Sequence, residues 1–259
     1  MLKPRALVLQ ARGSNRDLDV MDALGLAGAD PVGVPLNDLR ARKADWRAFQ
    51  MLILPGGFSY ADALGAGRLL ALDLNSFFAD EINTFVMSGK LVLGICNGFQ
   101  ALIKSGILPG NHASHRRSTL TFNASGHFEC RWVTLAAVSQ TCLWTRGLEE
   151  RISCPVAHGE GNFQTSDATV LADLTANNQV ALVYTHVNGT PAGGKYPLNP
   201  NGSLQDIAGI CNPQGNVLGL MPHPENHIHP NQLPQWSRGV RGQSGLGLFI
   251  NGVKASAEL

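Results

Sequence analysis

The sequence predicts an α/β protein whose central, mostly parallel sheet is covered by helices on both faces. Three features point there. Short, wholly apolar runs recur at Ala6-Leu7-Val8-Leu9, Met51-Leu52-Ile53-Leu54 and Leu91-Val92-Leu93-Gly94-Ile95, as expected of strands buried on both sides. Amphipathic stretches separate them, and glycine or proline punctuates the junctions. The second half is richer in strands, so additional strands are expected beside the parallel set.

After the first run, Gly13-Ser14-Asn15 makes a turn, and Leu18, Met21, Leu24 and Leu26 trace a helical stripe stopped by Gly28. The second run is halted by Pro55-Gly56-Gly57. Leu70, Leu74, Phe77, Phe78, Ile82, Phe85 and Val86 then mark one face of a single helix with Gly89 as its stop. The third run leads into a helix through Phe99, Leu102 and Ile103, ended by Gly106. Later strands are expected over 131–138, 153–157, 180–184, 207–211 and 217–221. Segments 189–203 and 226–245, dense in Gly, Pro and polar residues, read as surface loops.

The 259 residues are expected to form one domain over 1–259; with 44% hydrophobic and 15% charged residues they can bury a sizeable core. A net charge of +1 leaves no electrostatic footprint for nucleic acid or an anionic membrane. The apolar run near the N-terminus is too brief for a signal peptide, and no stretch approaches a membrane span. Five scattered cysteines without a Cys-x-x-Cys pair argue against a disulfide framework or zinc site. A cytoplasmic protein is expected.

Gly94-Ile95-Cys96-Asn97-Gly98 stands between an apolar strand and an amphipathic helix. It has the Gly-x-nucleophile-x-Gly form of a nucleophile elbow, with cysteine for serine. A sharp turn there lifts the nucleophile out of the sheet, and the helix N-terminus favours thiolate and offers N–H groups to an oxyanion. The competing reading is a buried cysteine between two packing glycines. Met221-Pro222-His223-Pro224-Glu225 follows another apolar strand. Both Met221 and His223 precede proline, which biases them toward extended backbone and brings His223 and Glu225 to one side. Glu225 would fix the imidazole tautomer, leaving the other nitrogen to take the cysteine proton. The competing reading is an ordinary loop histidine. Cysteine early with histidine and glutamate late makes a Cys-His-Glu triad.

These motifs, with Pro55-Gly56-Gly57-Phe58-Ser59-Tyr60 and Val156-Ala157-His158-Gly159-Glu160-Gly161-Asn162-Phe163, resemble class I glutamine amidotransferases. More narrowly, the Cys96-Asn97-Gly98-Phe99-Gln100 and Gly56-Gly57-Phe58-Ser59-Tyr60 forms resemble the glutaminase subunits of phosphoribosylformylglycinamidine synthases. The resemblance runs from about residue 7 to residue 225 and implies a flavodoxin-like fold. It implies that Cys96 attacks the glutamine side-chain amide, with His223 as base and acid and Glu225 as its orienter. It further implies an oxyanion hole from the N–H groups of Gly57 and Asn97, and substrate contacts from Gln100, His158 and Glu160. No cofactor is expected in this chain. ATP and Mg would be used by a partner synthetase subunit receiving ammonia, and a small third subunit is expected in the complex. The loop 226–245 resembles the longer single-chain form of the family, though a separate subunit is expected; Trp236, Arg238 and Arg241 there are candidate partner contacts beside the reading of a solvated loop.

His223, His227 and His229 are close in sequence but lack the companion ligands of a metal site, so no metal is expected. His112, His115, Arg116 and Arg117 form a small basic cluster read as solvated loop, with a partner contact as the alternative. Cys130, Cys142, Cys154 and Cys211 have no elbow or neighbouring base and read as structural, and Phe122-Asn123 to Trp132 carries nothing that demands chemistry. The alternatives are a same-fold glutaminase for another synthetase (histidine, guanylate or carbamoyl phosphate), an independent γ-glutamyl hydrolase, and a non-catalytic subunit.

Overall fold

The structure, a computed structural model, describes residues 3–110 and 117–258. The strands are β1 (Arg5–Gln10), β2 (Asp30–Pro35), β3 (Met51–Leu54), β4 (Leu91–Ile95), β5 (Ser118–Thr121) and β6 (Glu129–Ala137). They continue with β7 (Ile152–His158), β8 (Asn162–Thr165), β9 (Val180–Thr185), β10 (Ile207–Cys211) and β11 (Val217–Leu220). Helices are α1 (Asp17–Ala27), α2 (Leu36–Arg40), α3 (Arg68–Phe77), α4 (Ala79–Met87), α5 (Asn97–Ser105), α6 (Ala168–Ala176) and α7 (Leu246–Ser256).

One sheet runs β2-β1-β3-β4-β11-β10-β9-β6-β7, with β5 and β8 as a separate pair. From β2 to β11 every pairing is parallel; from β11 to β7 every pairing is antiparallel. The apolar runs explain the division. β3 and β4 are buried at every position, with helices on both sides, whereas β6 and β7 mix buried and half-buried residues as strands with one wetter face do. Helices α1 and α7 pack together, as do α3 and α5. Right-handed crossovers on either side of β1 and β3 place those two pairs on opposite faces.

All eight strands expected from sequence form; β2, β5 and β8 were not expected. β2 reads Asp-Pro-Val-Gly-Val-Pro, whose prolines and glycine disguise a strand, yet it lies at the sheet edge, where proline costs no ladder bond. The single helix expected over 70–86 is two. The chain leaves helical geometry at Phe78 (φ −137°), which turns its ring inward against Trp46 at 5.5 Å between centroids. In α1 the buried residues are Val20, Ala23 and Leu24, while Leu18 and Leu26 face solvent, so the expected stripe is rotated. Segments 189–203 and 226–245 are largely irregular, but Asn199, Asn201 and Ser203 are buried, against a pure surface loop. His112, His115 and Arg116 lie outside the described residues. Among the described residues no helix is long and apolar enough to cross a membrane.

Candidate active site

The central placement follows from sheet register. β4 and β11 are parallel neighbours with Ile95 opposite Leu220, so the residues that follow each strand emerge side by side at the carboxyl edge, where open α/β sheets bind ligands. Cys96 is next after β4, and its N–H donates to the Leu220 carbonyl at 2.8 Å. His223 is three residues past β11. The edge strand β7 reaches back over the same end. Its Pro155 carbonyl accepts the His223 N–H at 2.8 Å, and its Ala157 carbonyl lies 3.8 Å from the Cys96 sulfur.

Cys96 makes the elbow. Its backbone lies at φ 50°, ψ −104°, a left-handed conformation that costs a non-glycine residue on the order of 1–3 kcal/mol. The flanking glycines let strand and helix close on each other. A Cβ on Gly98 would stand 2.0 Å from the Leu54 carbonyl oxygen, and one on Gly94 2.5 Å from Leu102. Behind the elbow, Phe99 fills the space over Gly219, where a Cβ would meet the ring at 2.0 Å.

His223 and Glu225 pair through Nδ1 and Oε1 at 2.7 Å, both almost wholly buried. The expected extended path is not the one taken: Pro224–Asn226 is a 3-10 turn with His223 as its cap, and the turn itself returns Glu225 to the ring. Burial works against a charged imidazole here. The Glu225 carboxylate and the Cys96 sulfur outweigh it and raise the His223 pKa to about 10. Nε2 is buried and has no hydrogen-bond partner, and the Cys96 sulfur is close enough to favour the charged ring. Gly56 makes room for the ring, since a Cβ there would lie 2.8 Å from His223 Cε1.

The N–H groups of Gly57 and Asn97 take part in no hydrogen bond among the described residues. Asn97 opens α5, where the dipole favours a nearby anion. Gly57 holds φ 136°, and a Cβ would strike Asn15 N at 2.7 Å and Gly13 O at 2.9 Å, so only glycine presents this N–H.

Comparison with known proteins gives the family. The family described as the CobB/CobQ-like glutamine amidotransferase domain matches residues 3–254. The phosphoribosylformylglycinamidine synthase subunit PurQ of Treponema denticola is 54% identical over 241 residues, covering 88% of this chain and 89% of that protein. The chain belongs to the PurQ family of class I glutamine amidotransferases. The PurQ of Dehalococcoides mccartyi is 42% identical over 98% of both chains. A chain in the structure of PurLQS from Thermotoga maritima superposes with TM-score 0.75 and 35% identity, covering 98% of this chain and 99% of that one.

The remaining PurQ-family motif residues form the wall of a cavity of about 160 Å³ that has Cys96 in its lining. Gln100 lines it, but its amide is already engaged: Nε2 donates to the Glu160 carbonyl at 2.6 Å, and Oε1 accepts from Asn97 at 3.0 Å. Glu160 accepts from the Ala66 N–H at 3.2 Å and faces Lys104 at 3.5 Å. It therefore ties the segment after Gly57 to α5. In that segment Tyr60, Ala61, Asp62 and Leu64 all have positive φ, an uncommon run of strained backbone beside the free N–H of Gly57. Asp62 accepts from Asn97 Nδ2 at 3.0 Å, and burial, with Glu160 nearby, raises its pKa. His158 is buried and kept neutral, its pKa lowered to about 3 by burial and by His223.

Sequence reasoning missed Lys104, Asp62 and Asn123. Lys104 and Asp62 carry no local motif; Asn123 stood in a segment read as carrying nothing that demands chemistry. Of the cysteines read as structural, Cys142, Cys154 and Cys211 are buried, but Cys130 is exposed on β6. His227 and His229 go to separate partners, the Ser153 carbonyl at 2.6 Å and Asp22 at 2.7 Å. A larger cleft of about 550 Å³ between Trp46 and Phe85 opens at the amino ends of β3 and β4, away from every catalytic group.

Proposed function

We propose that this PurQ-family chain hydrolyses glutamine through a Cys96 thioester and delivers the ammonia to a synthetase subunit. The observation that carries the reading is the meeting of Cys96 with the buried His223–Glu225 pair at the ends of adjacent parallel strands. The Cys96 thiolate attacks the γ-carboxamide carbon, and the oxygen takes the negative charge toward the Gly57 and Asn97 N–H groups. The imidazolium of His223 gives its proton to the departing nitrogen, and the C–N bond breaks to release NH3 and leave the γ-glutamyl thioester. Neutral His223 then takes a proton from water, whose oxygen attacks the thioester, and glutamate leaves as the thiolate is restored. Glu225 holds the imidazole in orientation throughout.

Free ammonia is quickly protonated in neutral water, so delivery calls for a covered mouth. Phe58, Phe122 and Phe128 line that mouth and are exposed at 44%, 71% and 53%, which suits a docking synthetase. Trp236, with Arg241 stacked 5.3 Å over it, and Arg238 on the 226–245 loop form a second contact. The synthetase would use ATP and Mg to convert formylglycinamide ribonucleotide to its amidine in the cytoplasm, with a small third subunit completing the complex. Trapping tests the chemistry: mass spectrometry of acid-quenched enzyme should find a γ-glutamyl adduct on Cys96, and an adduct elsewhere would refute the assignment.

A further inference from the structure

Asn123 is almost fully buried, and every hydrogen-bonding atom of its amide is committed. Its NH2 donates to two carbonyl oxygens, His127 at 2.9 Å and His158 at 2.7 Å. Two carbonyl acceptors leave only one orientation for the amide, so its oxygen must face the other way. That oxygen meets the Gly161 N–H at 3.0 Å and His158 Nδ1 at 3.1 Å. Because it can only accept, His158 must carry a proton on Nδ1. A neutral ring has one proton, so Nε2 is a bare lone pair. It is buried and has no hydrogen-bond partner, an expensive state for a polar atom unless something visits it. The ring is held in place from the other side too, since a Cβ on Gly161 would lie 2.3 Å from it. His158 lines the cavity that holds Cys96.

We propose that Asn123 is a positioning residue that locks His158 in the Nδ1–H tautomer, so that His158 Nε2 accepts an N–H of the substrate carboxamide. This rests on the glutaminase reading. The chemistry of the reaction selects the donor. Glutamine brings two N–H groups on the carboxamide, and the thioester that follows has none, so the contact acts in acylation. A planar amide held by its NH2 has its carbonyl oxygen turned away, toward the Gly57 and Asn97 N–H groups. A protonated His158 would instead donate, repel the amide hydrogens and add a second cation beside His223; burial and the neighbouring His223 oppose this, while the Asn123 oxygen fixes which nitrogen carries the single proton.

The test compares L-glutamine with L-glutamate γ-methyl ester, which presents the same acyl group but no N–H. Glutamate release is measured with the full chain in complex with its synthetase, for wild type, Asn123→Ala and His158→Phe. His158→Phe keeps a ring of similar size and removes the acceptor. Both variants are expected to lose about tenfold or more in kcat/KM on glutamine, the size of one lost hydrogen bond, and to change less than about threefold on the ester. Equal loss on both substrates, or no loss on glutamine, overturns the proposal. Should Asn123→Ala fail to fold, His158→Phe decides alone. If wild type turns over neither substrate, the glutaminase reading itself has failed.

Discussion

Gly57→Ala separates the oxyanion site from the nucleophile more cleanly than any change at Cys96. The residue holds φ 136°, and the added methyl would lie 2.7 Å from Asn15 N, 2.9 Å from Gly13 O and 2.9 Å from Ser14 Cα. All three are backbone atoms, so no side chain can swing aside. Relief requires the 56–57 peptide to rotate, and its N–H leaves the cavity. Losing one oxyanion donor costs about 3–4 kcal/mol of transition-state stabilisation, or roughly 100- to 1000-fold in kcat. Residual strain adds about 1–3 kcal/mol of lost stability. The assay is glutamine-dependent glutamate release by the complex, beside the alkylation rate of Cys96 by iodoacetamide. The expected result is a kcat loss of at least about 100-fold with alkylation changed by less than about threefold. A folded variant that keeps kcat within tenfold would refute the claim that Gly57 supplies an oxyanion donor.

Four further outcomes follow from the same geometry. Glu225→Gln removes the largest influence raising the His223 pKa; burial then dominates, and the alkaline limb of kcat/KM, set by loss of the imidazolium proton near about 10 in wild type, moves to lower pH. In a stability titration the raised His223 pKa contributes stability that is full below about 6.5 and fades as pH rises through about 10. His158 has the opposite sign. Its folded pKa of about 3 means the unfolded chain binds the extra proton, so stability falls by about 1.4 kcal/mol per pH unit below about 6.5; His158→Phe should remove that slope in urea titrations between pH 6 and 4. Gly98→Ala places a methyl 2.0 Å from the Leu54 carbonyl and should lower stability by about 1–3 kcal/mol, seen as a lower urea midpoint, and slow alkylation of Cys96.

The proposed triad was legible because each member is locally marked. Gly94 and Gly98 flag the elbow at Cys96, and prolines bracket His223 two residues before Glu225. Their meeting in space was not legible from either motif, since it depends on β11 inserting beside β4, a pairing between strands over a hundred residues apart. The turn at Pro224–Asn226 shows a correct partner assigned by the wrong backbone: i and i+2 share a side in a strand, and here a 3-10 turn brings them together. β2 was hidden because strand propensity counts against Pro and Gly, while an edge position tolerates both. Asn123 was hidden for a different reason. Its role is made by carbonyl groups from His127 and His158, and backbone acceptors leave no trace in residue types. The break at Phe78 is likewise tertiary: apolar spacing continues through it, and the contact with Trp46 decides.

One reconstitution decides whether Cys96 makes the ammonia that a synthetase consumes. The chain is mixed with its synthetase subunit, ATP, Mg and formylglycinamide ribonucleotide, and amidine formation is followed with glutamine or with ammonium as nitrogen source. Wild type should work with both, and Cys96→Ala should lose glutamine-dependent turnover while keeping that with ammonium. A Cys96→Ala complex that still forms amidine from glutamine would show that the ammonia is made elsewhere.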